Sequence, residues 1–363
     1  MPTQAKTKIA INGFGRIGRA ALKIALTKPD AEIVAINDLT NPRILAHLLR
    51  YDSAYRGFDK EILIEEDGKK VNLTDNKGDK EFFKQTGTEN YLIVDGHHIK
   101  VLAQKDPEQL PWKDLDVDVV LECTGRFVKD NAAEVHIKSG AKKVVLSAPA
   151  KGGDIQTFLR GVNDESYLGQ NIISNASCTT NCISPVIDVM HREFKVVKSL
   201  MTTIHALTNN QSVVDSAPFG EDIDMRRCRA AGYNMSPTTT GAAKATTQVI
   251  PELAGLFDGI SVRVPIITGS LSDITMVVGR KVTVDEVNNA FLKAIALPKF
   301  QGVLHATFEP ITSSDIIGTS YSSIVDLSMT KVVDGDLVKV LAWYDNEWGY
   351  SNRLVEMALL MTG

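Results

Sequence analysis

Residues 7–18 read TKIAINGFGRIG, and the fold class turns on them. TKIAIN, residues 7–12, predicts a short buried strand. Gly13-Phe14-Gly15-Arg16-Ile17-Gly18 follows, and RAALKIALTK continues with helical spacing. AEIVAIND predicts a second strand, which ends at Asp38, twenty residues beyond Gly18. Strand, glycine loop, helix and strand make a βαβ unit at the head of the chain. Each glycine has a physical reason: Gly13 permits the turn, Gly15 lets backbone approach a pyrophosphate, and Gly18 lets helix pack on strand. The helix start offers N–H groups and the positive end of its dipole to phosphates. Asp38 offers acceptors to ribose hydroxyls. A βαβ unit that binds nothing is the bland alternative. A strand before, a helix after and a carboxylate ending the next strand favour a dinucleotide site.

Working outward, DVDVVLECTG (116–125) and AKKVVLSAP (141–149) predict further buried parallel strands, with a helix between them at about 130–139. Residues 60–95, with EEDGKK, DNKGDKE and QTGTEN, predict a hairpin-rich, solvent-facing excursion. Beyond about residue 177 longer strands appear, such as SLMTTIHAL, SDITMVVGRKV and VKVLAWYD, with DEVNNAFLKAIA as a helix. The fold class is therefore α/β: a Rossmann-type doubly wound domain over 1–177, then an α+β domain over 178–344 with a mostly antiparallel sheet. The last segment, about 345–363, reads as a helix that packs back on the first domain. The 363 residues suffice for two cores, and 44% hydrophobic against 23% charged residues excludes disorder. Forty basic against 44 acidic side chains, a net charge of −4, argues against nucleic acid as the main partner. No apolar run of membrane-spanning length and no signal peptide is visible, so the expected location is cytoplasmic.

SNASCTTNC (174–182) follows an apolar strand and reads as a Ser-capped helix start. Cys178 falls in the first turn, where the dipole favours a thiolate, and Cys182 lies one turn deeper. The C-x3-C spacing has no second Cys or His pair at zinc-ligand distance, so no metal is expected. His205, at the end of a strand, is a candidate base for such a cysteine. The other six histidines, His136 among them, read as structural or solvated.

INGFGRIGR, ISNASCTTNC, TTIHA, SPTTTGAAKA, VRVP and YDNEWGYSNR stand in the order of the phosphorylating glyceraldehyde-3-phosphate dehydrogenases, and the resemblance spans nearly the whole chain. It implies Cys178 as nucleophile and His205 as the base that activates it. It implies a hemithioacetal, hydride transfer to NAD, and a thioester opened by inorganic phosphate. By position in the motifs, Thr208 and Arg263 would hold the phosphate of glyceraldehyde 3-phosphate. Ser177, Thr179, Thr240 and Gly241 would hold the attacking phosphate. The cofactor would be bound by Gly13, Phe14, Gly15, Arg16, Ile17, Gly18 and Asp38, by Thr124, Gly125 and Ser147, and by Asn346 and Tyr350. The resemblance also implies a homotetramer in which the long, mixed segment 209–230 joins subunits.

Departures from the family pattern stand at Gln104-Lys105, Cys123 and Ser212, in the segment VVDSAPFGEDIDMRRC, and at residues 65–90, which look longer than the usual connection. Asp38 would repel the 2′-phosphate of NADP. Ser216 and Ala217 are small and leave it room, and Arg43 stands nearby. NAD is therefore expected, with weaker use of NADP. The competing readings are an erythrose-4-phosphate dehydrogenase and a redox-sensing binding protein.

Overall fold

The computed structural model describes residues 5–217 and 224–363; residues 218–223, inside the expected subunit-joining loop, lie outside the described residues. The chain divides into two compact units: residues 1–156, 168–175 and 354–363 form one, and 157–167 and 176–353 form the other.

The first unit carries the glycine loop. Its strands Ile172–Ser174, Lys143–Leu146, Val119–Glu122, Thr7–Asn12, Ala31–Asn37 and His97–Leu102 lie side by side and parallel. From Thr7–Asn12 the chain builds first to one side and then to the other, so a crevice opens at that strand's C-terminal end. The central strands Thr7–Asn12, Val119–Glu122 and Lys143–Leu146 are largely apolar and buried on both faces. The excursion adds antiparallel strands Asn90–Val94, Ile62–Glu66 and Lys69–Val71 to the sheet edge. The helix expected at about 130–139 is shorter, Glu134–Lys138, because Asp130 and Asn131 take left-handed φ values of 46° and 61° and form a turn.

The second unit is a seven-stranded sheet ordered Ser236–Thr239, Phe257–Arg263, Val196–His205, Ser270–Val278, Leu337–Tyr344, Ser323–Val333, Leu304–Thr307. Four of its six junctions are antiparallel. Helices Cys178–Phe194, Ala242–Val249 and Val284–Ala294 pack against it. Ser270–Val278 alternates buried and half-buried residues along its length, as expected of a strand with one covered face. No described helix is long and apolar enough to cross a membrane.

Two glycines in the loop have steric reasons and one does not. Gly13 has φ +94°, and a Cβ there would lie 2.9 Å from Cys123 backbone. A Cβ on Gly18 would lie 2.2 Å from the Gly13 carbonyl oxygen. A Cβ on Gly15 would meet nothing within 4 Å. Gly18→Ala is expected to cost about 1–3 kcal/mol in urea unfolding, the usual range for an overpacked site, whereas Gly15→Ala leaves the midpoint unchanged. Equal stability of the two variants would contradict the packing role of Gly18.

Candidate active site

Two centres emerge, one in each unit. In the first, a cavity of about 340 Å³ is lined by Gly13, Gly15, Asp38, Gln104, Thr124 and neighbouring residues. Helix Arg16–Ala25 begins at Gly15 with no side-chain cap, and the positive end of its dipole suits an anion. The open space over Gly15 and the uncapped helix start suit a pyrophosphate. Asp38 Oδ2 accepts from the Phe14 N–H at 2.8 Å and Oδ1 from Thr40 at 2.9 Å. The carboxylate thus braces the glycine turn and keeps lone pairs for ribose hydroxyls. Arg16 is drawn to Asp52, with Nη1 to Oδ2 2.6 Å, and Ile17 is half-buried. Thr124 lines the cavity, Gly125 next to it is exposed, and Ser147 follows strand Lys143–Leu146 with its N–H on the Glu122 carbonyl.

Beneath this crevice lies a group that the reading of the sequence missed. Glu122 is 1% exposed, and its carboxylate is fully engaged. Oε2 accepts from Asn12 Nδ2 at 2.6 Å and from His136 Nε2 at 2.9 Å. Oε1 accepts from the Thr124 N–H at 2.7 Å and from its hydroxyl. Trp112 Nε1 can only donate, and it donates to His136 Nδ1 at 3.1 Å, which assigns the His136 proton to Nε2. Asn37 donates to Asn12 and accepts from the Gln104 N–H, both at 2.8 Å. One buried carboxylate therefore sets the ends of three strands around the cavity. Its sequence signal was a Glu closing an apolar run.

The second centre is built on helix Cys178–Phe194. Ser177 caps it, its hydroxyl accepting from the Thr180 N–H at 3.1 Å. Ala176, fully buried, takes φ +51°, a strained value for a residue with a Cβ. The Tyr350 hydroxyl holds that turn by donating to the Ala176 carbonyl at 3.0 Å. Cys178 Sγ lies 3.4 Å from His205 Nε2. Two groups face His205 Nδ1: the Ala206 carbonyl at 2.8 Å, which can only accept and calls for the ring proton on Nδ1, and Arg263, which can only donate and calls for it on Nε2. Arg263 Nη1 packs 2.6 Å from the same Nδ1 and donates to Ala206 O at 3.1 Å, while its buried Nε has no partner. Tyr344, 1% exposed, bridges Thr179 in the first helical turn (2.9 Å) to Thr203 in the strand that carries His205 (2.7 Å).

Burial pushes the Cys178 thiol up, against the pull of the Arg263 charge. Burial, and then Arg263, hold His205 down to about 3. Burial thus works against the thiolate that the helix start favours, and Arg263 works for it.

The other predicted residues fall as follows. Thr208 Oγ1 donates to Asn210 Oδ1 at 2.6 Å. Thr240 Oγ1 accepts from the Ala242 N–H, the first of helix Ala242–Val249, at 3.2 Å, and the N-cap Gly241 adds no side chain of its own. Asn346 Oδ1 accepts from Thr268, Gly269 and Ser270 at 3.2, 3.2 and 2.9 Å, which fixes the amide and leaves Nδ2 as its donor end. All four cysteines are free, and no metal-binding cluster of acidic, His or Cys residues occurs among the described residues.

Comparison with known proteins matches the family model described as the glyceraldehyde 3-phosphate dehydrogenase NAD binding domain over residues 7–130, and the C-terminal domain of the same family over 177–346. The chain is 48% identical over 357 residues to glyceraldehyde-3-phosphate dehydrogenase 2 of Streptomyces avermitilis. It is 48% identical over 357 residues to the enzyme of Thermotoga maritima, and 46% over 358 residues to enzyme 1 of Bacillus cereus. Each alignment covers 98% of both chains.

The lowered pKa of His205 has a consequence for stability. Between about pH 6.5, the ordinary value, and about 3, the unfolded chain binds a proton that the folded one refuses. Stability from this group is complete above the upper value and is lost as pH falls toward the lower one. His205→Asn is expected to flatten the fall in urea midpoint between pH 6.5 and 4; an unchanged slope would show that the ring is not held neutral.

Proposed function

The chain belongs to the glyceraldehyde-3-phosphate dehydrogenase family, and from that footing we propose that Cys178 and His205 are the nucleophile and base of its reaction. It is an NAD-dependent oxidoreductase of glyceraldehyde 3-phosphate. The observation that carries the assignment of residues is the 3.4 Å contact between Sγ and Nε2.

The chemistry follows from the contact between thiol and imidazole. A buried thiol beside a neutral imidazole attacks the aldehyde carbon as its proton moves to Nε2, so charge need not exist beforehand. The hemithioacetal forms on Cys178 as Nε2 returns that proton to the aldehyde oxygen, which becomes the hydroxyl. His205 then takes the hydroxyl proton as the carbonyl forms. NAD, when bound, accepts the hydride of that carbon. Inorganic phosphate attacks the resulting thioester and releases the acyl phosphate and the thiol.

Two anion positions fit this sequence of steps. Arg263 offers a planar fork with an unspent Nε–H to the substrate phosphate, together with Thr208. Ser236 pairs with Arg263 and Thr239 with Ile260, so Thr240 and Gly241 follow the far end of that pairing, roughly 10 Å away at the rise of a strand. There the Thr240 hydroxyl and the positive dipole end of helix Ala242–Val249 suit the attacking phosphate, along with Ser177 and Thr179. Thr124, Gly125, Ser147 and the loop Gly13–Gly18 serve the cofactor with Asp38, and Asn346 Nδ2 suits a carboxamide oxygen. Tyr350 acts through the Ala176 turn.

The nucleotide-binding and catalytic roles divide between the two sequence halves, and we take the assembly to be a cytoplasmic homotetramer. Leu200, Ile260 and Leu337 share one face of the second sheet and are 67%, 51% and 40% exposed. A second copy would cover them.

Cys178→Ser is expected to abolish NADH formation and labelling by iodoacetamide, and His205→Asn to slow acylation by about two to four orders of magnitude. Full activity after alkylation of Cys178, or an unchanged rate in His205→Asn, would overturn the assignment.

A further inference from the structure

The excursion at residues 60–95 contributes nothing to the lining of the cofactor cavity, yet it is tied to the loop that carries Asp38. Arg43 is 5% exposed and Glu66 is 9% exposed. Their contact is bidentate: Nε donates to Oε1 at 2.8 Å and Nη2 to Oε2 at 2.6 Å. Arg43 Nη1 also donates to the Phe82 carbonyl at 2.7 Å and to Gln85 Oε1 at 3.2 Å, and the guanidinium stacks 4.3 Å over the Phe82 ring. A second tie lies two residues earlier. Asn41 caps helix Pro42–Arg50 by accepting from the Arg43 N–H at 2.8 Å, and its Nδ2 donates to the Gln85 carbonyl at 2.8 Å. Only two residues separate Asn41 from Asp38, and Thr40 between them donates its N–H to the Asp38 carboxylate.

A buried ion pair contributes little net stability, because desolvation offsets attraction; its better-attested use is to fix one arrangement. Here it fixes the segment Asp38–Arg43 against a hairpin. We propose that Arg43 and Glu66 are a positioning pair, through which the excursion sets affinity for the adenosine end of the dinucleotide by holding the Asp38 loop. The claim rests on the reading of Asp38 as the ribose acceptor. It also assigns Arg43: with its guanidinium spent on Glu66, Phe82 and Gln85, it is withheld from a 2′-phosphate.

The test is equilibrium binding of NAD and of ADP-ribose by calorimetry, with kcat and KM for NAD measured alongside, on Glu66→Gln, Asn41→Ser and Asp38→Asn. Glu66→Gln keeps shape and removes the charge. Asn41→Ser keeps a helix cap and removes only the tie to Gln85, so it folds even where Glu66→Gln does not. Both variants are expected to weaken NAD and ADP-ribose binding alike by roughly two- to thirtyfold, the range for residues acting through a network, and to raise KM with kcat unchanged. Unchanged binding in Asn41→Ser and in folded Glu66→Gln, alongside a loss in Asp38→Asn, overturns the positioning claim alone. Unchanged binding in Asp38→Asn overturns the reading of the carboxylate, and the positioning claim with it.

Discussion

The hydroxyl of Tyr344 joins the two elements that the chemistry needs. Cys178 starts a helix and His205 ends a strand, twenty-seven residues apart. Tyr344 bonds Thr179, next to the cysteine, and Thr203, two residues before the histidine. Its ring stands edge-on to the imidazole at 6.0 Å. Buried hydroxyls must be satisfied, so this three-way bond has one geometry rather than many. The Sγ to Nε2 distance is a consequence of it. Burial pushes the Tyr344 hydroxyl far up from its ordinary value, so it stays neutral and neither donates charge to the pair nor competes with it.

The same economy appears in the nucleotide unit, with a carboxylate in place of a phenol. Glu122 accepts four hydrogen bonds, from Asn12, His136 and both donors of Thr124. A buried carboxylate with fewer partners would cost several kcal/mol. Its full satisfaction requires the strand ends to stand where they do, and the cavity is what they enclose. In both units the reactive or ligand-facing group is aimed by a buried polar group behind it.

Local pattern made the architecture legible. The βαβ head, the parallel runs and the mostly antiparallel second sheet each have a short-range signature in glycine spacing or apolar periodicity. The Ser177 cap and the helix start at Cys178 were legible for the same reason. What sequence did not reveal was pairing at long range. Tyr344 and Thr179 are 165 residues apart, and Glu122 and Asn12 are 110 apart. Tyr344 sat in a motif where Asn346 and Tyr350 drew attention instead. Thr179, read as a phosphate ligand, also bonds Tyr344, a partner far away in sequence. Arg43, read as a cation near a 2′-phosphate, is buried against Glu66, a partner that no local pattern marks. The burial that opposes the helix dipole at Cys178 also had no local signature.

The central claim is that Cys178 carries the acyl group and that phosphate alone releases it. Mixing the chain rapidly with NAD and glyceraldehyde 3-phosphate, with no phosphate present, tests it most directly. The account predicts a burst of NADH equivalent to one turnover per chain, then a stall, with an acyl mass on the peptide that contains Cys178 and resumption when phosphate is added. Steady turnover without phosphate, or an acyl mass on Cys123, Cys182 or Cys228 instead, would contradict it.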